Sequence, residues 1–331
     1  MKFGLFGGAV AKRGNETADS QGYGGLIDLV VEAEDLGFHS VFLVEHHFTG
    51  IGQVSASINL LTYMAARTHK IRLGTAVTIL TWHNPVLVAE QAATLDLLSN
   101  GRLDFGIGRG YRDTEFDCFC IPKDEAMERY QEALDLILQS WQSDERFSHD
   151  GKYWRFKDIV VEPPCIQRPH PPLWSGSGTD ESIARTAKLG YNVLFDNFAT
   201  FERTEERLQV WQAACKEAGR DYDPMHVGLS RAMVLTENQT QTEQALELRR
   251  QNVTKLYSAF GSLPGVMMQP NSYDDPNTAT EDASLIGAPD EVIAKLKRLE
   301  KMGYGYILFL IPNNADMLRL FAREVMPAFE E

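Results

Sequence analysis

The chain has 331 residues, and 32 basic against 46 acidic side chains leave it at −14. With 44% hydrophobic and 24% charged residues it reads as an ordinary globular protein, and no run of 18 apolar residues supplies a membrane span. The acidic balance argues against nucleic acid as a partner, because phosphate is repelled overall, yet it leaves room for a local basic pocket that takes one small phosphate.

Four cysteines, Cys118, Cys120, Cys165 and Cys215, show no disulfide-framework spacing and read as reduced thiols of a cytoplasmic protein. Cys118 and Cys120 lack two further ligands nearby, so no metal is expected there. The N-terminal apolar stretch ends in Ala9-Val10-Ala11, but it is short, broken by glycine and followed by Lys12-Arg13. It reads as a strand, not a signal peptide.

In chain order, strand candidates fall at residues 3–7, 40–44, 71–77, 103–108, 173–175, 192–195, 226–235 and 306–311. Most are near-continuous apolar runs, as expected for strands buried on both faces of a parallel sheet. Helical patterns lie between them at 26–35, 88–98 and 291–301, closed by Gly37, Gly101 and Gly303. The clearest helix starts at Asp124 and carries Met127, Tyr130, Leu134, Leu138 and Trp141 at spacings of three and four, which predicts one buried face. Eight strand–helix alternations predict a single-domain (β/α)8 barrel over residues 1–331, with a doubly wound open sheet as the other topology that fits. Two proline-bearing interruptions, 144–172 and 258–287, read as loop insertions at one barrel end. Catalysis in this architecture sits at the C-terminal ends of the strands.

The second strand runs into Glu45-His46-His47-Phe48. Adjacent strand residues point to opposite faces, so His46 and His47 diverge and a metal shared by the two is not expected. A histidine poised to move a proton fits better, and one held in a loop network fits as well. After the fourth strand, Gly106-Ile-Gly108-Arg109-Gly110-Tyr111 is no dinucleotide fingerprint, since its third glycine comes one residue early. Arg109 between glycines suits an anion, or a turn closed by a salt bridge. The fifth strand enters Gly176-Ser177-Gly178-Thr179 and then a helix. Such a segment makes either a phosphate cradle or a simple capped loop.

Several of these strings, taken in order, resemble the bacterial-luciferase-like flavin-dependent monooxygenases. They are Met1-Lys2-Phe3-Gly4, Glu45-His46-His47-Phe48-Thr49, Leu73-Gly74-Thr75-Ala76, the segment from Leu95 to Arg102, and Arg109-Gly110-Tyr111 with Phe116 and Phe119. Weaker similarity runs through Gly176-Ser177 and residues 286–290. The resemblance implies a barrel that binds reduced FMN, delivered by a separate NAD(P)H:flavin reductase, and uses O2 through a C4a-hydroperoxyflavin to oxygenate a small organic substrate. It implies His46 as catalytic acid/base and Arg109, Gly176, Ser177, Gly178 and Thr179 as phosphate contacts, with Tyr111 beside the clamp and Arg129 as a second arginine. Ala76 and Val77 match the family's non-prolyl cis peptide against the flavin ring. Asp180 departs from the pattern, because its charge opposes a phosphate unless it points away. A homodimer is implied by analogy. The alternatives are an F420-dependent oxidoreductase of the same fold and a non-catalytic flavin-binding subunit.

Overall fold

The computed structural model describes residues 1–11, 21–49, 53–259, 280–312 and 315–330. Its parallel-sheet strands are β1 (Lys2–Gly7), β2 (Ser40–Leu43), β3 (Arg72–Thr75), β4 (Thr78–Ile79), β5 (Leu103–Gly108), β8 (Leu173–Gly176), β9 (Asn192–Phe195), β10 (Val227–Arg231) and β13 (Tyr306–Leu310). They run in the order β3-β2-β1-β13-β10-β9-β8-β5-β4, with β3 also paired to β5. Each predicted strand is present and is followed by a helix, so the fold is the (β/α)8 barrel that the alternation predicts. By contacts the chain falls into two compact units, one of Met1–Phe6, Asp35–His39 and Gly176–Glu331, the other of Gly7–Glu34 and Ser40–Ser175.

In the first unit, β13 lies parallel to both β1, from Lys2 opposite Tyr306 onward, and β10, which in turn pairs with β9. Phe3 packs against Phe309, Phe321 and Phe329 at ring separations of 5.6, 5.0 and 5.6 Å, joining the strands to α10 (Ala315–Glu324) and the C-terminal turn. Clusters of this kind carry much of a core's apolar area. The predicted strand 226–235 is broken at Ala232. Its second part, β11 (Met233–Leu235), leaves the sheet to pair with β12 (Leu285–Gly287). The predicted insertion 258–287 therefore ends in a strand, while 260–279 lie outside the described residues. Helices α6 (Asp180–Lys188), α7 (Phe201–Glu217), α8 (Gln239–Ala259) and α9 (Pro289–Met302) belong to this unit.

In the second unit, β2 pairs with β3, β3 and β4 with β5, and β5 with β8, all parallel. The glycines of the 106–108 string serve close packing. A Cβ on Gly106 would lie 1.8 Å from the Thr75 carbonyl oxygen, and one on Gly108 would lie 2.4 Å from Val77 Cγ2. Neither position has room for a side chain. Thr75 reinforces the approach, its hydroxyl donating to the Gly106 carbonyl at 2.7 Å and accepting from the Gly106 N–H at 2.9 Å.

Arg102, 9% exposed, ties two helix ends to this sheet. Its guanidinium donates to the carbonyls of Ala65, Thr68, Ile71 and Ser99 and to the Thr68 hydroxyl, at 2.8 to 3.1 Å. The carbonyls of Ala65, Thr68 and Ser99 stand at or just beyond the ends of α2 (Ser57–Ala65) and α3 (Pro85–Leu98), where helices leave acceptors unsatisfied and favour a cation. Glu34, at the end of α1 (Gln21–Asp35), accepts the N–H groups of His69, Lys70 and Ile71 leading into β3.

Two expectations for this unit are corrected. The helix after Pro122 begins as a single 3-10 turn and continues as α5 (Ala126–Gln142), but its buried residues are Ala126, Ala133, Leu134, Leu136, Ile137, Ser140 and Trp141. Of the five predicted positions Leu134 and Trp141 are buried, Tyr130 and Leu138 are half-buried and Met127 is exposed. The interruption 144–172 also has structure of its own, an antiparallel hairpin of β6 (Phe147–Asp150) and β7 (Arg155–Ile159). Glu132 of α5 holds the hairpin turn by accepting the N–H groups of Tyr153 and Trp154, and Asp96 of α3 accepts those of Ile166 and Gln167.

Candidate functional site

Beyond β2 the backbone stays extended and is pinned on both sides. Val44 N–H donates to the Gly7 carbonyl at 2.8 Å, and His46 N–H donates to the Val54 carbonyl at 2.9 Å. Glu45 and His47 therefore face one way and His46 the other, as the strand period predicts.

His46 is 17% exposed and meets two charged residues from the segment after β5. Its Nδ1 lies 3.4 Å from Oε1 of Glu115, on the short helix α4 (Asp113–Cys118), and its Nε2 lies 3.5 Å from Nη2 of Arg112. A carboxylate accepts and a guanidinium only donates, so this pair fixes the neutral tautomer with the proton on Nδ1 and the lone pair on Nε2. Burial pushes the His46 imidazolium below its usual range, and the Arg112 charge adds to that while Glu115 opposes it. Glu115 is anchored, since its Oε1 also accepts the His47 N–H at 2.9 Å. The Tyr111 ring stands edge-on to His46 at 6.4 Å, with burial raising the phenol above its ordinary range.

On the opposite face Glu45 is buried, and its Oε1 receives three nitrogens, His47 Nε2 at 3.1 Å, His83 Nε2 at 2.8 Å and Trp82 Nε1 at 3.1 Å. Burial alone would raise the Glu45 carboxyl, but the hydrogen bonds from His47, His83 and Trp82 outweigh it and hold the group below its ordinary range. Phe119 closes this side, 4.9 Å from the His47 ring and stacked on Trp82 at 5.0 Å.

The remaining expected residues divide between the units. In the second, the Ala76–Val77 peptide is cis, as the resemblance implies. Arg109 is exposed, and among the described residues no carboxylate pairs with its guanidinium. Arg129 is engaged, its Nη2 2.8 Å from Glu125 and its guanidinium 4.3 Å over the Tyr153 ring. In the first unit, Thr179 is the N-cap of α6 and forms a capping box with Ser182. Ser177 turns its hydroxyl inward, 2.9 Å from that of Thr186. Gly176 and Gly178 add no side chains to the loop, and Asp180 is drawn to Arg203 at 2.5 Å, which answers the charge conflict at that position.

Sequence reasoning missed Glu115, Arg112, Trp82 and His83. Glu115 left one trace, an acid directly before Phe116 in a helix that buries both. His83 left none.

A family model described as luciferase-like monooxygenase matches residues 1–305. The oxygenase component of the flavin-dependent trigonelline monooxygenase of Acinetobacter baylyi is 27% identical over 100% of this chain and 96% of that protein. Limonene 1,2-monooxygenase of Rhodococcus erythropolis is 26% identical over 92% of this chain and 80% of its own. A third relative, the uncharacterized protein y4vJ of Sinorhizobium fredii, is 31% identical over 55% of this chain, which spans about half (52%) of that relative's length. Among solved structures, the monooxygenase RslO1 of Streptomyces bottropensis superposes with a TM-score of 0.85 over 100% of both chains at 27% identity. A Baeyer–Villiger oxygenating constituent from Pseudomonas putida, in complex with FMN, shares the fold at a TM-score of 0.80 and 19% identity, over 99% of this chain and 98% of its own. With its strand-end histidine, its cis peptide and a family model spanning nearly its whole length, the chain belongs to the luciferase-like monooxygenase family.

Proposed function

We propose that this protein is the oxygenase component of a two-component flavin monooxygenase, taking reduced FMN from a separate NAD(P)H:flavin reductase and using O2 to oxygenate a small organic substrate. The observation that carries the reading is the His46–Glu115–Arg112 arrangement within a chain of this family. FMN, when bound, supplies the oxygen-activating chemistry, and the protein supplies position and proton control.

The residues present fit such a cofactor in each unit. In the second, Arg109 is an exposed cation without a carboxylate partner among the described residues, suited to the flavin phosphate. Tyr111 and the Ala76–Val77 segment are the further contacts assigned there. In the first, Gly176, Ser177, Gly178 and Thr179 lead into the N-terminus of α6, where backbone N–H groups and the helix dipole favour an anion. Asp180 is compatible with this because Arg203 holds it. Glu115 keeps the His46 proton on Nδ1, so Nε2 is the atom that takes a proton from the substrate and returns it.

A second copy of the chain is the assigned partner. Tyr63 of α2 and Leu87 and Leu98 of α3 are large apolar side chains exposed on neighbouring helices. No helix among the described residues is long and apolar enough to cross a membrane.

The test mixes the protein anaerobically with photoreduced FMN and then with aerated buffer in a stopped-flow spectrophotometer. The expected result is a flavin species that outlives free-solution reoxidation and whose lifetime changes in His46→Ala. Reoxidation at the free rate, or tight binding of F420 in preference to FMN, overturns the reading.

A further inference from the structure

The face opposite His46 carries a second constellation, outside the flavin contacts proposed above. Glu45 and His47 stand two residues apart on extended backbone and so project together, and His83 reaches the same point from the stretch between β4 and α3. Their ligand atoms, one carboxylate oxygen and two imidazole nitrogens, all lie within 4.8 Å of one another. Metal bonds of about 2.0–2.1 Å in tetrahedral geometry put neighbouring ligand atoms roughly 3.3 Å apart. The observed oxygen–nitrogen separations, 3.1 and 2.8 Å, are already close to that spacing.

Hydrogen bonding alone explains the cluster poorly. One carboxylate oxygen has two lone-pair directions, yet Glu45 Oε1 faces three nitrogens. A divalent cation between the three groups relieves that crowding, taking the two imidazoles and the carboxylate as ligands. The Trp82 indole N–H then remains as the donor that orients Glu45.

We propose that Glu45, His47 and His83 form a binding site for a first-row transition metal of the zinc class, distinct from the proton-handling face of His46. Two imidazoles and one carboxylate suit zinc, cobalt or nickel better than magnesium or calcium, which take all-oxygen sets. Three protein ligands leave a fourth position open. His83, 32% exposed, provides the edge by which an ion enters. The sequence argued against a metal because His46 and His47 diverge. They do diverge, and the second imidazole comes instead from a residue 36 positions further on.

The test uses the full chain, without a histidine tag and dialysed against EDTA, titrated with Zn2+ against a chromophoric chelator and with Co2+ by visible absorption. The expected result is one equivalent bound, with Co2+ bands of a four- or five-coordinate nitrogen–oxygen site. His83→Ala should weaken binding by more than the roughly 10- to 100-fold that loss of an outer-shell partner costs, and Trp82→Phe by a factor inside that range. His83→Gln, which keeps size and polarity, gives the same loss if His83→Ala unfolds. The Cys118→Ser/Cys120→Ser double variant should bind as the parent does. Absence of stoichiometric binding, binding that survives both His83 variants, or binding lost with the cysteines each overturns the site.

Discussion

Replacing Arg109 with alanine removes an exposed guanidinium that has no carboxylate partner among the described residues, so the change breaks no ion pair. A phosphate charge about 4 Å away interacts by roughly 1 kcal/mol in bulk water and about 4 kcal/mol near a protein surface. A charge-assisted hydrogen bond contributes about 1.5–3 kcal/mol. Exposure places Arg109 toward the lower part of that range, so about 2 kcal/mol is expected, or roughly 30-fold in affinity. The assay is the dissociation constant of FMN and of riboflavin, measured by flavin fluorescence for parent and variant. Riboflavin lacks the phosphate, so the FMN-to-riboflavin ratio should fall by that factor while riboflavin binding stays as it was. Arg109→Lys should recover most of the loss as a point charge without the fork geometry, and added salt should shrink the difference. Equal loss of both flavins, or an unchanged ratio, would refute the assignment. Arg129→Ala is expected to change the ratio less, because Glu125 and Tyr153 already engage that guanidinium.

Arg102→Met should destabilise the protein by about 3–5 kcal/mol in urea titration, since four carbonyls lose one shared donor group and each buried unsatisfied acceptor costs about 1–3 kcal/mol before water or relaxation compensates. A loss below about 1 kcal/mol would mean the helix ends are satisfied in another way. Glu34→Ala should cost roughly 1–2 kcal/mol near neutral pH, the scale of losing a capping carboxylate. Burial alone would raise the Glu34 carboxyl, but the N–H groups of Ile71, Lys70 and His69 outweigh that and lower it below the ordinary glutamate value in the folded state. Its contribution is therefore full above that value and disappears as pH falls through the lowered one, so parent and variant should converge in strong acid and nowhere else. Leu87→Glu with Leu98→Glu should convert a dimer to a monomer by light scattering, and a dimer that persists would place the contact elsewhere.

The strands were legible because parallel strands buried on both faces are written as apolar runs, and 103–108 or 306–310 admit little else. The β6–β7 hairpin was not, since its exposed face carries polar residues such as Ser148, Asp150 and Lys157 and leaves no apolar run to find. The buried face of α5 was legible in part, at Leu134 and Trp141, while Ala133 and Ser140 join it as small residues that a hydrophobic tally does not see. At the site, period two separated His46 from His47 correctly. Glu115 and Arg112 approach His46 across 69 and 66 positions, and His83 approaches Glu45 across 38, distances that only the folded sheet closes.

The hairpin between α5 and β8 is fastened by acceptors that belong to barrel helices, Glu132 at its turn and Asp96 where the chain returns. Those carboxylates grip main chain at four positions and add two side chains of the segment, His149 on Glu132 and Gln167 on Asp96. The segment therefore behaves as a cassette with a fixed inner lining and a replaceable outer one. An outward side chain such as Lys157 is open to variation, whereas His149 and Gln167 are held, and positions 153, 154, 166 and 167 must each keep an N–H, which bars proline there.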